Sequence, residues 1–448
     1  MNTRCCDEFS RRAVAGEGVR AIEPGMPLPA GTGISRRAFV ARSLGLAFTI
    51  YGAGGLGLFE EGIAAAATGG RERILVSVFL PGGADGMSML YPDGDPLYRK
   101  LRPNLALTGG QVFTEDTRLS WHPALSPLAQ LHSEGKVSVL PAVGYSHPDQ
   151  SHFTSRHYWE VGATDQVLRT GWLGRYLDLV GTPDNPLQGL SMTGQLEPSL
   201  ATAKVPVAAI NGPDQYTFWT EGVWGSVQSR MLDAVGGFGA LAGSDPALQT
   251  AASVAVQSDR LRRQLLPFAD KTKLVSAVAY PQSSEGFPAH LQGLAAMIAA
   301  GLPMRCVALE ASGQYDTHSG EPAALTSAFD LTAQSLLAFQ RDLEARGIAD
   351  RVLTLVWTEF GRRAQENGSQ GTDHGAAGTA FVIGTKASGR MIGEFPGLSN
   401  GLDVDGNLKA TADFRGVYGS LLEQWLSFDA EKVIPGAASF ARPKLVRA

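Results

Sequence analysis

Short apolar runs rich in β-branched residues alternate with longer helical patterns along the chain. The runs that predict strands lie at 73–80, 136–143, 205–210, 305–310, 351–357 and 379–384. The helical patterns lie at 227–234, 246–266, 288–300, 322–346 and 414–426. Because continuous apolar strands separated by helices are typical of parallel sheets buried on both faces, this order predicts an α/β fold with a mostly parallel central sheet and helices on both faces.

The chain is predicted to form one large domain. Its content of 44% hydrophobic and 18% charged residues suits a globular protein with a sizeable core. Neither an internal repeat nor a long low-complexity linker divides the sequence after residue 67. We therefore expect residues 68–448 to form a single α/β domain with an insertion around 165–300.

The N-terminal segment has the features of an export signal. Arg36 and Arg37 precede an uncharged apolar run at 44–59, and the alanines at 64–67 are small residues of the kind that signal peptidase accepts. The apolar run is shorter than the roughly 20 residues that span a bilayer. We expect residues 1–67 to be a twin-arginine (Tat) signal whose removal leaves a protein of the periplasm or cell envelope without a membrane span. An uncleaved anchor and a buried helix are the alternatives.

The net charge and the cysteine count limit the classes of partner and the types of metal ligand that the chain can have. With 38 Lys plus Arg against 43 Asp plus Glu, the net charge is −5, which argues against a nucleic-acid partner. Loss of the signal would remove Cys5 and Cys6 and leave Cys306 alone, so the mature chain could form no internal disulfide. A metal site would have to use oxygen and nitrogen ligands.

Strand ends and one glycine-flanked loop place carboxylates and imidazoles where a metal site is expected. Ligand sites in open α/β sheets lie outside the carboxyl ends of the strands, so these groups are predicted to converge. Without thiolates, they favour one or two divalent ions, with Zn, Mn, Mg and Ca as the candidates. The predicted metal ligands are Asp85, Asp316, His318, Glu359, Asp373 and His374.

Each of these groups also has a structural interpretation. Asp85 can be a turn former, residues 316–318 can cap a helix, and residues 373–374 can form an ordinary turn. Glu359 can pair with Arg362 at the surface. Repetition of the pattern at successive strand ends favours the ligand interpretation.

A serine and three histidines follow the strand at 136–143. Ser151 opens a predicted helix, where the backbone N–H groups and the helix dipole favour an anion, so it is a candidate nucleophile or an ordinary N-cap. His147, His152 and His157 are five residues apart and do not share one helical face, so these three are not expected to form a zinc site. A nucleophile elbow, a P-loop or a dinucleotide fingerprint is not found.

Eight segments of the chain carry a family resemblance. They are LPGGADGMSMLYPDGDPLYRKLRPNLAL (80–107), WHPALSPL (121–128), HPDQSHFTSRHYWE (147–160), GWLGRYL (171–177), GQYDTHSG (313–320), WTEFGRR (357–363), NGSQGTDHG (367–375) and DFRGVYGSLLEQWL (413–426). In this order they resemble the bacterial family catalogued as domain of unknown function 1501, many members of which carry a Tat signal. That family is grouped with the alkaline phosphatase and sulfatase superfamily of metal-dependent hydrolases.

The resemblance implies an alkaline phosphatase-like fold and a role for each candidate. Ser151 would be the metal-bound nucleophile. The implied ligands of a first ion are Asp316, His318 and His374, and those of a second ion are Asp85 and Glu359. Two features depart from the superfamily pattern: a single residue separates Asp316 from His318, and Glu359 stands in place of an Asp-His pair.

Two functions remain open. The first is an exported metal-dependent hydrolase of phosphate or sulfate esters, in which Arg362 clamps the anionic small-molecule substrate, although Arg156 is equally well placed in the sequence. The second is a non-catalytic envelope binding or assembly protein that keeps a metal or polar cluster for its structure. Because family members are often encoded beside another exported family, a co-encoded exported protein is an expected partner.

Overall fold

The computed structural model describes residues 50–51, 72–216, 224–238 and 246–447. The predicted signal at 1–67 lies outside the described residues, apart from the two-residue strand Ile50–Tyr51, so export stays a prediction. None of the described helices has the length and hydropathy needed to cross a membrane.

Strands and helices alternate along the described chain. The strands are β1 Ile50–Tyr51, β2 Ile74–Phe79, β3 Leu90–Tyr91, β4 Ser120–Trp121, β5 Val137–Gly144, β6 Gly189–Ser191, β7 Val207–Ala209, β8 Cys306–Glu310, β9 Val352–Trp357, β10 Arg362–Glu366, β11 Thr372–His374, β12 Gly378–Ile383 and β13 Ala412–Asp413. The helices are α1 Gly86–Met89, α2 Tyr98–Leu101, α3 Ser126–Ser133, α4 His152–Val161, α5 Trp172–Val180, α6 Gly225–Phe238, α7 Pro246–Leu265, α8 Phe287–Ala299, α9 Glu321–Ala345 and α10 Phe414–Ser420.

The central sheet of the described chain has nine strands in the order β1-β7-β6-β8-β2-β9-β12-β5-β13. From β7 to β9 the neighbouring strands are parallel. By contrast, β12 is antiparallel to both β9 and β5. The predicted mostly parallel α/β sheet is confirmed. The direction of β12 is not visible in the sequence, because its apolar run is as continuous as those of the parallel strands.

Residues 165–300, where an insertion was predicted, contain two strands of the central sheet. The strands β6 and β7 pair with each other, and β6 pairs with β8, so this segment supplies one side of the sheet. Within the same segment, α6 packs against α7 and exposes most of its side chains. Only part of the segment therefore lies outside the sheet layers.

Successive residues of the central strand point to opposite faces of the sheet and so build two cores. Ile74, Val76 and Val78 of β2 belong to the core that also contains residues of α3, α8 and α9. Leu75 and Phe79 belong to the other core, with residues of α4, α5 and α10. Since both faces are covered, the polar residues that follow the strands collect at the carboxyl edge of the sheet.

Phe381 tests the packing of β12 between its neighbours. Its side chain is 1% exposed and stacks on Trp121 with ring centroids 6.2 Å apart. Because Phe381→Ala leaves a cavity, we expect it to lower the free energy of unfolding by about 3–5 kcal/mol, measured by urea denaturation. The control Val404→Ala removes an exposed side chain and should change the same quantity by less than about 0.5 kcal/mol. Equal effects of the two substitutions would contradict the burial of Phe381.

Candidate metal centre

Five segments of the chain meet at the carboxyl edge of the sheet. Three of them follow the parallel strands β2, β8 and β9, and a fourth leads from β5 into α4. The fifth is the β10–β11 hairpin, which lies between β9 and β12 in the sequence. Because β12 is antiparallel, the residues that precede it reach the edge that the other segments reach after their strands.

Asp316 lies among three histidine rings. Its Oδ1 is 3.1 Å from His318 Nε2 and 3.4 Å from His374 Nε2, and its Oδ2 is 3.5 Å from His152 Nε2. Burial alone would raise the pKa of Asp316, but hydrogen bonds with the three imidazoles and the charge of Arg362 hold that pKa well below its ordinary value. Asp316 is therefore a carboxylate, the form that binds a cation.

Three of these residues could hold one divalent ion. The ligand atoms of His152, Asp316 and His374 all lie within 4.8 Å of one another. Two imidazole nitrogens and a carboxylate oxygen are ligands that suit Zn²⁺, and imidazole and carboxylate ligands also bind other first-row divalent metals. We call these three residues the metal triad.

Hydrogen bonds outside the metal triad orient both of its imidazoles. His374 Nδ1 lies 2.8 Å from the carbonyl oxygen of Gln150, which can only accept a hydrogen bond, so Nδ1 carries a proton and Nε2 is the nitrogen that faces Asp316. His152 Nδ1 lies 2.8 Å from Glu359 Oε1 in the same way. Such outer partners fix the tautomer and orientation of metal-binding histidines. The residues present therefore fit a metal ion.

Glu359, a predicted ligand, binds the histidine instead. Its buried carboxylate accepts hydrogen bonds from Gly82 N at 3.0 Å and from Thr358 Oγ1 at 3.1 Å, besides its contact with His152. Burial alone would raise the pKa of Glu359, but the hydrogen bond with His152 and the charge of that ring lower it overall. The structure thus places Glu359 behind His152, outside the metal triad.

Asp85 is also outside the metal triad. It is fully buried, and both of its carboxylate oxygens accept from Arg102, with Oδ1 3.0 Å from Nη2. Oδ1 also lies 3.3 Å from Met87 N, which makes Asp85 the N-cap of α1. Burial opposes ionisation, but the charge of Arg102 keeps the pKa of Asp85 below its ordinary value. The structure does not bring Asp85 and Glu359 into the triad, and the three residues of the triad could hold one ion.

Arg362 connects the segments of the site. Its side chain has no exposed surface, Nε donates to Gly83 O at 2.7 Å, and Nη1 donates to Thr372 O at 2.9 Å. Nη2 donates to Gly82 O and to Asp316 Oδ1, the latter at 2.5 Å. All three side-chain nitrogens bind protein oxygens. This geometry favours positioning of Asp316 over the predicted clamping of a substrate anion.

Arg156, the alternative clamp, is held by three glutamates. Its Nε lies 2.6 Å from Glu160, and its Nη2 lies 2.8 Å from Glu310 and 3.2 Å from Glu197. The guanidinium also lies over the ring of Phe79, 4.5 Å from its centroid. Arg156 is thus already paired with more than one carboxylate.

Ser151 is the N-cap of α4. Its Oγ lies 3.4 Å from Thr154 N, and its own N–H donates to Asp149 Oδ1 at 2.8 Å. The N-cap interpretation is confirmed, and the role of nucleophile stays a prediction. The next residue, His152, is the first residue of the helix and belongs to the metal triad.

His318 and Asp373 lie on the solvent side of the site. His318 Nε2 is 3.0 Å from His374 Nε2, and His318 Nδ1 is 3.5 Å from Asp373 Oδ1. The side chains of His318 and Asp373 are 35% and 55% exposed. His318 is close enough to the triad to be a further ligand, whereas Asp373 contacts the far side of the His318 ring.

His152 is the member of the triad that sequence reasoning missed. The spacing argument excluded a site made of His147, His152 and His157 together, and the structure agrees, since His147 is exposed and His157 Nε2 lies 3.0 Å from Asp165 O. The argument did not test whether His152 joins residues from other strands. Its position at the start of a helix that follows a buried strand is the signal that could have identified it.

Comparisons with known proteins show low similarity to solved structures. No curated protein matches the chain. The chain is similar to an alkaline phosphatase superfamily protein from Vibrio parahaemolyticus, with 10% identity, a TM-score of 0.33, and coverage of 79% of this chain and 66% of that one. It is also similar to the PsFucS1 sulfatase from a Pseudoalteromonas species, with 13% identity, a TM-score of 0.30, and coverage of 84% and 74%.

A protein-family model covers the residues that form the site. The match runs over residues 146–411, which is more than half of the chain and includes the whole metal triad. The chain therefore belongs to the family described as protein of unknown function, DUF1501.

Proposed function

We propose that this protein is an exported, metal-dependent hydrolase of phosphate or sulfate esters. The observation that carries the proposal is the convergence of His152, Asp316 and His374 within 4.8 Å, with both imidazoles oriented by outer hydrogen bonds. A metal ion held by these residues would supply Lewis-acid chemistry toward a phosphoryl or sulfuryl oxygen. Zn²⁺ or Mn²⁺ suits the two imidazoles better than Mg²⁺ or Ca²⁺ does.

The chain's own residues hold the ligands and favour an anionic substrate. Arg362 binds Asp316, Glu359 binds His152, and the Gln150 carbonyl binds His374, so each member of the triad has a fixed partner. The N-terminus of the ten-residue helix α4 adds the positive end of a helix dipole beside the site. We place Ser151 there as the candidate nucleophile.

A non-catalytic envelope binding or assembly protein is the second candidate. The observation that favours it is the use of Asp85 and Arg362 in buried structural contacts, which leaves neither for a second ion or for substrate. In that case the metal triad stabilises the fold, and a co-encoded exported protein would be the partner.

Metal content tests the triad. Because His152→Ala and His374→Ala each remove a ligand, we expect the wild-type chain, purified without chelator, to hold about one divalent ion and both variants to lose most of it. The measurement is elemental analysis by mass spectrometry. His147→Asn is the matched control, since His147 is exposed and its φ of 56° suits asparagine. An equal metal content in all four proteins would contradict the site.

Ester hydrolysis tests the catalytic proposal. We expect the wild-type chain to hydrolyse p-nitrophenyl phosphate or p-nitrophenyl sulfate, to lose the activity with chelator, and to regain it with Zn²⁺ or Mn²⁺. If Ser151 is the nucleophile, Ser151→Ala lowers kcat by about 10³-fold or more, whereas the surface control Ser133→Ala leaves kcat unchanged.

The result separates the two candidate functions. Retained activity of Ser151→Ala would remove Ser151 as the nucleophile without affecting the metal site. A wild-type chain that holds the ion but hydrolyses neither ester would support the non-catalytic protein.

A further inference from the structure

A buried carboxylate lies between the two segments that carry Asp316 and His374. Glu321, the first residue of α9, is 1% exposed. Its Oε2 accepts hydrogen bonds from Thr317 Oγ1 at 3.1 Å and from Thr372 Oγ1 at 2.6 Å. Its Oε1 accepts from Ser88 Oγ at 3.2 Å. None of these partners belongs to the metal triad.

The two threonines link this carboxylate to the metal ligands. Thr317 lies between Asp316 and His318, and Thr372 lies two residues before His374 on β11. The two segments are also joined by a backbone hydrogen bond from Thr372 N to Thr317 O, with a length of 3.0 Å. Glu321 therefore binds both the segment that carries Asp316 and the segment that carries His374, the two residues that would share one ion.

Arg102 extends this network to the other strand of the hairpin. Its Nη1 lies 4.0 Å from Glu321 Oε1. Its Nε donates to Ala364 O and its Nη2 to Arg363 O, each at 3.0 Å, and both carbonyls belong to β10. Because Arg102 holds β10 and Glu321 holds β11, the two residues anchor both strands of the hairpin that ends in His374.

We propose that Glu321 is a positioning residue of the metal centre, which sets the separation of Asp316 and His374 through Thr317 and Thr372. The inference rests on the proposed metal site. Without the carboxylate, two buried hydroxyl groups lose their shared acceptor, and the contact between the segments they belong to is weakened. Metal affinity depends steeply on ligand geometry, so a small separation lowers it.

Titration of the full chain with Co²⁺ tests this role, because the visible absorption of bound cobalt reports both affinity and coordination geometry. We expect Glu321→Leu to weaken Co²⁺ binding by about 10–100-fold and to change the spectrum. Glu321→Gln retains an acceptor oxygen and should restore most of the affinity. Thr372→Val preserves the side-chain shape and is expected to weaken binding in the same direction, which keeps the test available if Glu321→Leu does not fold.

Asp342→Leu is the matched control for a merely structural effect. Asp342 is a buried acid on the same helix, but its partners are Arg346 at 2.8 Å and Tyr280 at 3.1 Å. We expect Asp342→Leu to lower thermal stability and to leave the cobalt affinity and spectrum unchanged. Wild-type affinity in both Glu321→Leu and Thr372→Val, or equal weakening in Asp342→Leu, would overturn the positioning role. A wild-type chain that binds no cobalt would instead overturn the metal site itself.

Discussion

The buried contact between Arg362 and Asp316 is the interaction on which the arrangement of the site depends. A guanidinium removed from water must find acceptors for its N–H groups and a counter-charge, or the fold is strongly destabilised. Arg362 finds them in Asp316 and in carbonyls of the loop after β2 and of β11. These acceptors meet only when the segments after β2, β8 and β9 are in place together with the hairpin. The hydrogen bonds of the Arg362 guanidinium therefore fix the positions of several loops at once. They also hold Asp316 in place without a bound ligand.

Much of the fold follows from hydrophobic pattern, and the exceptions have physical reasons. The strands β2, β5, β8 and β9 were predictable because each is a continuous apolar run, which only a strand covered on both faces needs. The hairpin strands β10 and β11 were not predicted, since Arg362–Glu366 and Thr372–His374 are short and polar and form a two-stranded sheet apart from the central one. The chain between β9 and β12 contains the β10–β11 hairpin in place of a crossover helix, and β12 runs antiparallel to β9.

The sequence predicted where the site lies better than it predicted the role of each residue in it. The rule that ligands bind at the carboxyl edge identified Asp316 and His374 correctly as neighbours, although 58 residues separate them. It did not anticipate the buried partners of Asp85 and Arg362, because the local sequence does not reveal them; Arg102 is the partner of Asp85. His152 was overlooked because helical spacing compares residues within one helix, whereas its neighbours in space come from other segments.

Because β12 is antiparallel to β9, the residues of the metal triad differ in how far apart in the sequence their supporting contacts lie. Residues 352–383 run from β9 through the β10–β11 hairpin to β12, so the hairpin that carries His374 is built from contacts between residues close in sequence. His152 and Asp316 join it through pairings between strands that are distant in the chain, and closing such long loops is slow. His152, Asp316 and His374 therefore come together only when strand pairs both near and distant in the sequence have formed, so an ion that needs all three could bind only to a chain whose sheet is already assembled.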